Sequence, residues 1–219
     1  MKYTTIVFDC DGTLLDTATD LANAVNHVLR THNFPEKSLA EVKAALGNAV
    51  TYLMRQCLPS SVADNELEPY IEEFKAYYGK HLKDTTAPYP GILDMLDVLR
   101  EQDYKLAIVS NKIQECVTPL NKEYFGDRLP VAIGERPGLQ RKPAPDMVLQ
   151  ALKELNSTPE ESIYVGDSEV DVATAENSGL LCIGVTWGFR EESLHQELGV
   201  THIARKAEDI LSIVENLNK

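Results

Sequence analysis

Basic residues are scarce in this sequence, in which 21 Lys and Arg stand against 34 Asp and Glu, giving a formal charge of −13. That balance excludes a nucleic-acid-binding role, which needs a basic face. No apolar run approaches the ~20 residues required to span a bilayer, so no membrane partner is expected. The first apolar run begins at Tyr3 and leaves no room for a signal peptide, which makes the cytoplasm the expected location. Cysteine is sparse as well: Cys10, Cys57, Cys116 and Cys182 lie far apart, without a Cys-x-x-Cys pair. A zinc site and a disulfide framework are thereby excluded, and Cys10 reads as a packing residue. Internal repeats and low-complexity segments are absent too. None of the histidines is tied to chemistry: His27 and His32 fall on a helical pattern, and His195, like Trp187, reads as packing or surface.

What is present is an ordinary globular composition, 43% hydrophobic and 25% charged over 219 residues. This suits one large domain or a domain with a sizeable insertion. The acidic excess would repel an anionic substrate. Such a substrate needs local positive charge from a metal and a few basic side chains.

Tyr3 to Phe8 is an apolar, β-branched run of the kind that forms a buried parallel strand. Helical spacing follows: Leu21, Val25, Val28 and Leu29, then Leu39, Val42, Ala45 and Leu46, then Val50, Leu53, Met54 and Cys57, then Leu67, Ile71, Phe74 and Tyr78. Asp16 or Thr17 is expected to cap the first of these helices. Gly47-Asn48-Ala49 interrupts the second and third, and its free backbone N–H groups suit a loop facing a ligand; a plain helix-to-helix turn fits those residues equally. The spacing predicts no strand before the proline-stiffened exit at Thr85-Thr86-Ala87-Pro88-Tyr89-Pro90-Gly91. From there helices alternate with strands at Leu106–Val109, Val131–Ile133, Ser162–Val165, Leu181–Val185 and, weakly, Thr201–Ala204. The expected fold is α/β, a doubly wound, mostly parallel sheet with a Rossmann-like core and an inserted α-helical domain. The core covers residues 1–15 and 88–219, and the insertion residues 16–87.

Asp9 and Asp11 close the first strand one residue apart, and strand alternation would turn them to the same side. Two adjacent carboxylates repel, a cation relieves the repulsion, and oxygen-only ligands suit Mg²⁺. Taken alone, Asp11-Gly12 is equally an ordinary turn. Polar residues also follow the strands that end near Ser110 and Asp167, and the carboxyl edge of an open α/β sheet is where ligands bind. Individually, Ser110 and Asn111 read as a strand-end cap, Lys142 as a solvated loop lysine, and Asp171 as a first-turn aspartate.

Together, four segments in order carry a specific resemblance: Asp9-Cys10-Asp11-Gly12-Thr13, Ser110, Lys142 in Lys142-Pro143-Ala144-Pro145-Asp146, and Gly166-Asp167-Ser168-Glu169-Val170-Asp171. The sequence resembles the haloacid dehalogenase superfamily of phosphotransferases along its whole length, the helical insertion being similar to that family's small cap. Asp16-Thr17-Ala18-Thr19-Asp20-Leu21, Pro88-Tyr89-Pro90-Gly91, Ser110-Asn111-Lys112 and Thr186-Trp187-Gly188 further resemble its phosphoglycolate phosphatase branch.

The resemblance implies a Mg²⁺-dependent phosphatase on a small phosphorylated metabolite. Asp9 would be the nucleophile of an aspartyl-phosphate intermediate and Asp11 the acid and base. Mg²⁺ would be held by Asp9, the Asp11 carbonyl and Asp167, with Asp171 in support. Gly12, Ser110, Asn111 and Lys142 would hold the phosphate, and Gly47-Asn48-Ala49 would select the substrate. The alternative is a phosphomutase of the β-phosphoglucomutase type; a dehalogenase, for which Asp11 would be superfluous, is disfavoured. The expected assembly is a monomer or homodimer.

Overall fold

The computed structural model describes residues 1–219. Its centre is β1 (Thr5–Phe8), whose four residues are all buried because helices cover both faces of the strand. Ile6 and Phe8 enter one apolar cluster and Val7 the other, the two-residue alternation of a strand sandwiched between layers. The chain leaves the sheet at Cys10, turns through Gly12, and forms a short strand β2 (Leu15–Asp16).

Residues 18–81 contain only helical elements: α1 (Ala18–Thr31), α2 (Leu39–Ala45), α3 (Val50–Cys57) and α4 (Glu68–His81), with one 3₁₀ turn at Asp64–Glu66. Val25, Val28 and Leu29 of α1 and Ile71, Phe74 and Tyr78 of α4 are buried in one cluster. The first helix starts where expected, and of its two expected caps it is Asp16 whose Oδ1 accepts from the Ala18 N–H, at 3.3 Å. Thr17 makes no side-chain bond to the helix backbone; its hydroxyl donates instead to Asp11 Oδ1 at 2.7 Å. Ser38 does cap α2, with Glu41 completing a reciprocal pair.

The chain returns through β3 (Ala87–Pro88), which pairs antiparallel with β2, so the two crossings between sheet and helices lie side by side. Asp20 ties them further. Its carboxylate accepts from the backbone N–H and the hydroxyl of both Thr85 and Thr86, at 2.6–3.0 Å. These bonds hold the carboxyl of Asp20 below the usual carboxylate range despite partial burial.

The remainder alternates: α5 (Ile92–Glu101), β4 (Lys105–Ile113), α6 (Gln114–Tyr124), β5 (Val131–Glu135), α7 (Asp146–Glu154), β6 (Ser162–Gly166), α8 (Glu169–Ser178), β7 (Leu181–Val185), α9 (Glu192–Glu197), β8 (His202–Ala204) and α10 (Ala207–Leu217). The sheet runs β5-β4-β1-β6-β7-β8 and is parallel throughout. Winding proceeds outward from β1 to β5, then restarts at β6 on the opposite side of β1. The switch point therefore falls beside the carboxyl end of β1, where crevices form in such sheets. One element differs from expectation in extent: β4 continues through Ser110-Asn111-Lys112 to Ile113, carrying those residues above the sheet edge.

Candidate active site

The strand alternation expected for Asp9 and Asp11 does not hold, because β1 ends at Phe8 and the chain has already turned. The Asp11 carboxylate faces Thr17 and Lys112, whose Nζ is 3.2 Å from Asp11 Oδ1. The acidic cluster instead brings together Asp9, Asp167 and Asp171, one oxygen of each lying within 4.8 Å of the others. All three are buried.

Each carboxylate has its own support. Asp9 accepts from Lys142 Nζ at 2.8 Å. Asp167 accepts from the Phe189 backbone N–H at 2.7 Å and the Thr13 hydroxyl at 3.4 Å. Asp171 is saturated: Oδ1 takes Lys142 Nζ at 2.7 Å and the Tyr164 hydroxyl at 3.2 Å, while Oδ2 takes the N–H of Asp167 and of Ser168 and the Ser168 hydroxyl. Ser168 and Asp171 also form the reciprocal N-terminal pair of α8. The first-turn reading of Asp171 is therefore right, and so is its place in the cluster. Lys142 is not a solvated lysine, since only 2% of its side chain is exposed.

Three buried carboxylates against one ammonium leave two negative charges unbalanced. Burial and the neighbouring Asp171 charge push Asp9 up to about 7, with Lys142 opposing them. Asp167 is pushed well above the carboxylate range for the same reasons, while Lys142 and the Ser168 donors hold Asp171 low. A group of hard oxygen donors short of two positive charges fits one divalent cation. Glycine is required nearby for a steric reason. Gly12 has φ +83, and a Cβ there would lie 2.5 Å from an Asp167 carboxylate oxygen.

Ser110 and Asn111 lie beside this cluster, both buried. The Asn111 amide donates to Lys142 O at 3.1 Å and to Gly47 O at 3.5 Å, linking the lysine loop to the loop between α2 and α3. Its Oδ1 is a buried acceptor without a donor, which a substrate or water would satisfy. A cavity of about 70 Å³ adjoins Asp9, Asp11, Ser110, Asn111 and Lys142 and is roofed by Gly47 and Asn48. At ~10–15 Å³ per water-sized volume, it holds a group of only a few heavy atoms. Of the site residues expected from the sequence, Asp9, Asp11, Gly47, Asn48, Ser110, Asn111 and Lys142 line one cavity; Asp167 and Asp171 join Asp9 in the buried cluster, Gly12 packs on Asp167, and Ala49 is buried without lining the cavity.

Residues 6–185 match the family model described as haloacid dehalogenase-like hydrolase. The chain belongs to that family. It is 33% identical over 191 residues to the phosphoglycolate phosphatase of Pseudomonas putida, covering 84% of this chain and 70% of that one. It is 30% identical to the phosphoglycolate phosphatase of Aquifex aeolicus, covering 96% of each. A crystal structure of a Lactobacillus delbrueckii subsp. bulgaricus protein, assigned as a phosphoglycolate phosphatase, superposes with TM-score 0.90 at 36% identity, covering 96% of this chain and 97% of that one. The protein is thus a phosphoric monoester hydrolase of the phosphoglycolate phosphatase-like branch.

In this hydrolase several contributing residues escaped the sequence reading. Tyr164 looked like one more strand residue, yet its hydroxyl meets Lys142 Nζ at 3.0 Å. Trp187, read as packing or surface, donates from Nε1 to Thr13 O at 3.0 Å and braces the turn that carries Gly12. Arg190 had no signal at all. It pairs with Glu169 through two bonds at 2.8 and 3.0 Å and donates to Lys43 O and Leu46 O, carbonyls at the end of α2. His195 is a packed core residue, its ring set against Gly184. No helix of the protein is long and apolar enough to cross a membrane.

Proposed function

We propose that the protein is a Mg²⁺-dependent phosphatase acting on 2-phosphoglycolate or a similarly small phosphoester, through an aspartyl-phosphate on Asp9. The observation that carries this reading is the Asp9–Lys142–Asp171 arrangement beside Asp167. It presents one carboxylate, held by a single ammonium, at the floor of a cavity just large enough for a small ester.

Asp9, the Asp11 carbonyl and Asp167 would hold the cation, with Asp171 supporting them by fixing Lys142. When bound, Mg²⁺ supplies charge neutralisation at the phosphoryl oxygens. Lys142, Ser110, Asn111 and the turn at Gly12 flank the phosphoryl group and offset its remaining charge. The Asp9 oxygen attacks phosphorus; Asp11 gives its proton to the departing alkoxide and takes one from the water that cleaves the acyl phosphate. Residues 16–87 act as a cap hinged where β2 and β3 pair, with the Asp20 bonds making the two crossings move as one. The loop at Gly47, Asn48 and Ala49, clasped by Arg190, closes over the leaving group and excludes water. The protein would act in the cytoplasm, as a monomer or homodimer.

The test is a panel of phosphorylated metabolites scored by released phosphate, comprising phosphoglycolate, pyrophosphate, sugar phosphates and nucleotides. Phosphoglycolate should lead the panel, and EDTA should silence turnover until Mg²⁺ is restored. Turnover of a sugar 1-phosphate to its 6-phosphate without net phosphate release would refute the phosphatase.

Metal binding should also be visible in stability. The ordinary carboxyl value is 3.8, and in the folded protein Asp9 is pushed up to about 7. Between those limits the folded metal-free protein binds a proton that the unfolded chain has released, so its stability falls as pH rises through the window. A divalent cation takes the place of that proton. The rise in Tm produced by saturating Mg²⁺ should therefore be small near pH 5 and grow to its full size near pH 8. A Mg²⁺ effect that is equal at both ends would contradict the assignment of Asp9 to the metal.

A further inference from the structure

The cavity contains a second buried cation that the phosphate does not need. Lys112, at the end of β4, has a side chain only 4% exposed. Its Nζ donates to the Tyr78 hydroxyl at 2.7 Å and lies 4.5 Å from the Tyr78 ring centroid, besides meeting Asp11 Oδ1 at 3.2 Å. Tyr78 belongs to α4, so this contact spans from the sheet to the helical segment. Lys142 meets Asp9 and Asp171, at 2.8 and 2.7 Å.

Lys112 pairs with Asp11, which is outside the acidic cluster of Asp9, Asp167 and Asp171. Asp11 serves the leaving oxygen in the proposed reaction, so Lys112 and Tyr78 bound the space that the rest of the leaving group enters. Leu21, Leu53, Phe74 and Ile113 supply apolar walls there. A buried ammonium is costly to maintain. It has three donors, of which Asp11 and Tyr78 occupy two, leaving one for a ligand. Tyr78 accepts from Lys112, and its own O–H is directed to no other protein group. Two donors thus meet in a pocket that Leu21, Leu53, Phe74 and Ile113 also line, the arrangement that selects an anionic oxygen group.

We propose that Lys112 and the Tyr78 hydroxyl form the receptor for a carboxylate on the leaving group, so that the site selects phosphoesters of small hydroxy acids. The inference rests on the phosphatase reading above, and it assigns the substrate class to two residues rather than to the Gly47 loop alone.

The test compares 2-phosphoglycolate with its carboxamide, 2-phosphoglycolamide, which has the same shape without the charge. Wild type should prefer the acid by about 10²-fold in kcat/KM, chiefly through KM. Lys112→Met should collapse that preference toward unity, Tyr78→Phe should reduce it by about tenfold, and Lys112→Arg should retain part of it. An equal loss on both esters in Lys112→Met would show that the lysine serves only Asp11, and the proposal would fall. Binding of free glycolate, followed as a shift in Tm against glycolamide, reads the same subsite without turnover. Glycolate should stabilise wild type and leave Lys112→Met unaffected, even if the phosphatase reading itself were to fail. No discrimination between glycolate and glycolamide by wild type would overturn the receptor while leaving the phosphatase intact.

Discussion

Replacing Asp9 by Asn is expected to reduce turnover by roughly 10⁴-fold or more in protein that is folded, and in the absence of metal more stable than wild type. The amide keeps the shape and accepts from Lys142, which lies 2.8 Å from Asp9 Oδ1, yet it is no competent nucleophile toward phosphorus. The stability gain follows from the electrostatics of the cluster. Burial and Asp171 penalise the charged form of Asp9 enough to push its carboxyl up to about 7. Removing that charge relieves the penalty above the ordinary carboxyl value, so the difference in Tm should widen between about pH 5 and pH 8. Two measurements decide the matter: single-turnover phosphate release, with deamidation excluded by mass spectrometry, and thermal unfolding with metal removed. Retention of a hundredth of wild-type turnover would remove Asp9 from the role of nucleophile.

Lys142→Met should damage both activity and fold. Its ammonium bonds to Asp9, Asp171 and the Tyr164 hydroxyl from a buried position. Methionine matches the stem but leaves the carboxylates with no countercharge. Breaking a buried ion pair by removing one partner costs about 3–5 kcal/mol, and loss of a donor to developing charge costs about 10²–10³-fold in kcat. Part of the lost stability should return on adding Mg²⁺, because a divalent cation neutralises the same oxygens. Lys142→Arg should not restore activity, since a planar guanidinium cannot replace a compact ammonium meeting three partners at one point. Wild-type stability for the methionine variant without metal would show that Lys142 is not the counter-ion of the cluster.

Much of the fold was legible because its signals are local. Periodicities of 2 and 3.6, the prolines at Pro88 and Pro90, and the apolar runs of β1, β6 and β7 each depend on neighbours within one element. The site was legible for a related reason. Asp9 and Asp167 each follow a strand, Ser110 lies in the second half of β4, and in a doubly wound sheet strand ends meet by topology. Less legible was how side chains pair. Asp9 and Asp11 stand two residues apart, yet one joins Asp167 and Asp171 while the other turns to Thr17 and Lys112. Thr17 has an N-cap residue's identity and place, but the half-buried carboxylate of Asp11 competes for its hydroxyl and wins. Lys142 carries no burial signal in a polar loop, because its burial is compensated by Asp9 and Asp171 from elsewhere in the chain.

The sequence by itself determined the layers of this protein, the all-helical character of residues 18–81, and the set of carboxylates and lysines from which a phosphatase site is built. Only the tertiary structure decided which carboxylates cluster together, that Lys112 stands apart from Lys142 against Tyr78, and that Arg190 reaches the end of α2. Periodicity and strand order are properties of chain geometry and propagate residue by residue. Charge pairing in a buried site is a contest among all groups brought within a few ångströms, and those groups can be far apart along the chain, as Asp9 and Asp171 are at 162 residues. Its outcome is set by which partner repays desolvation best, and that depends on positions only the folded chain defines.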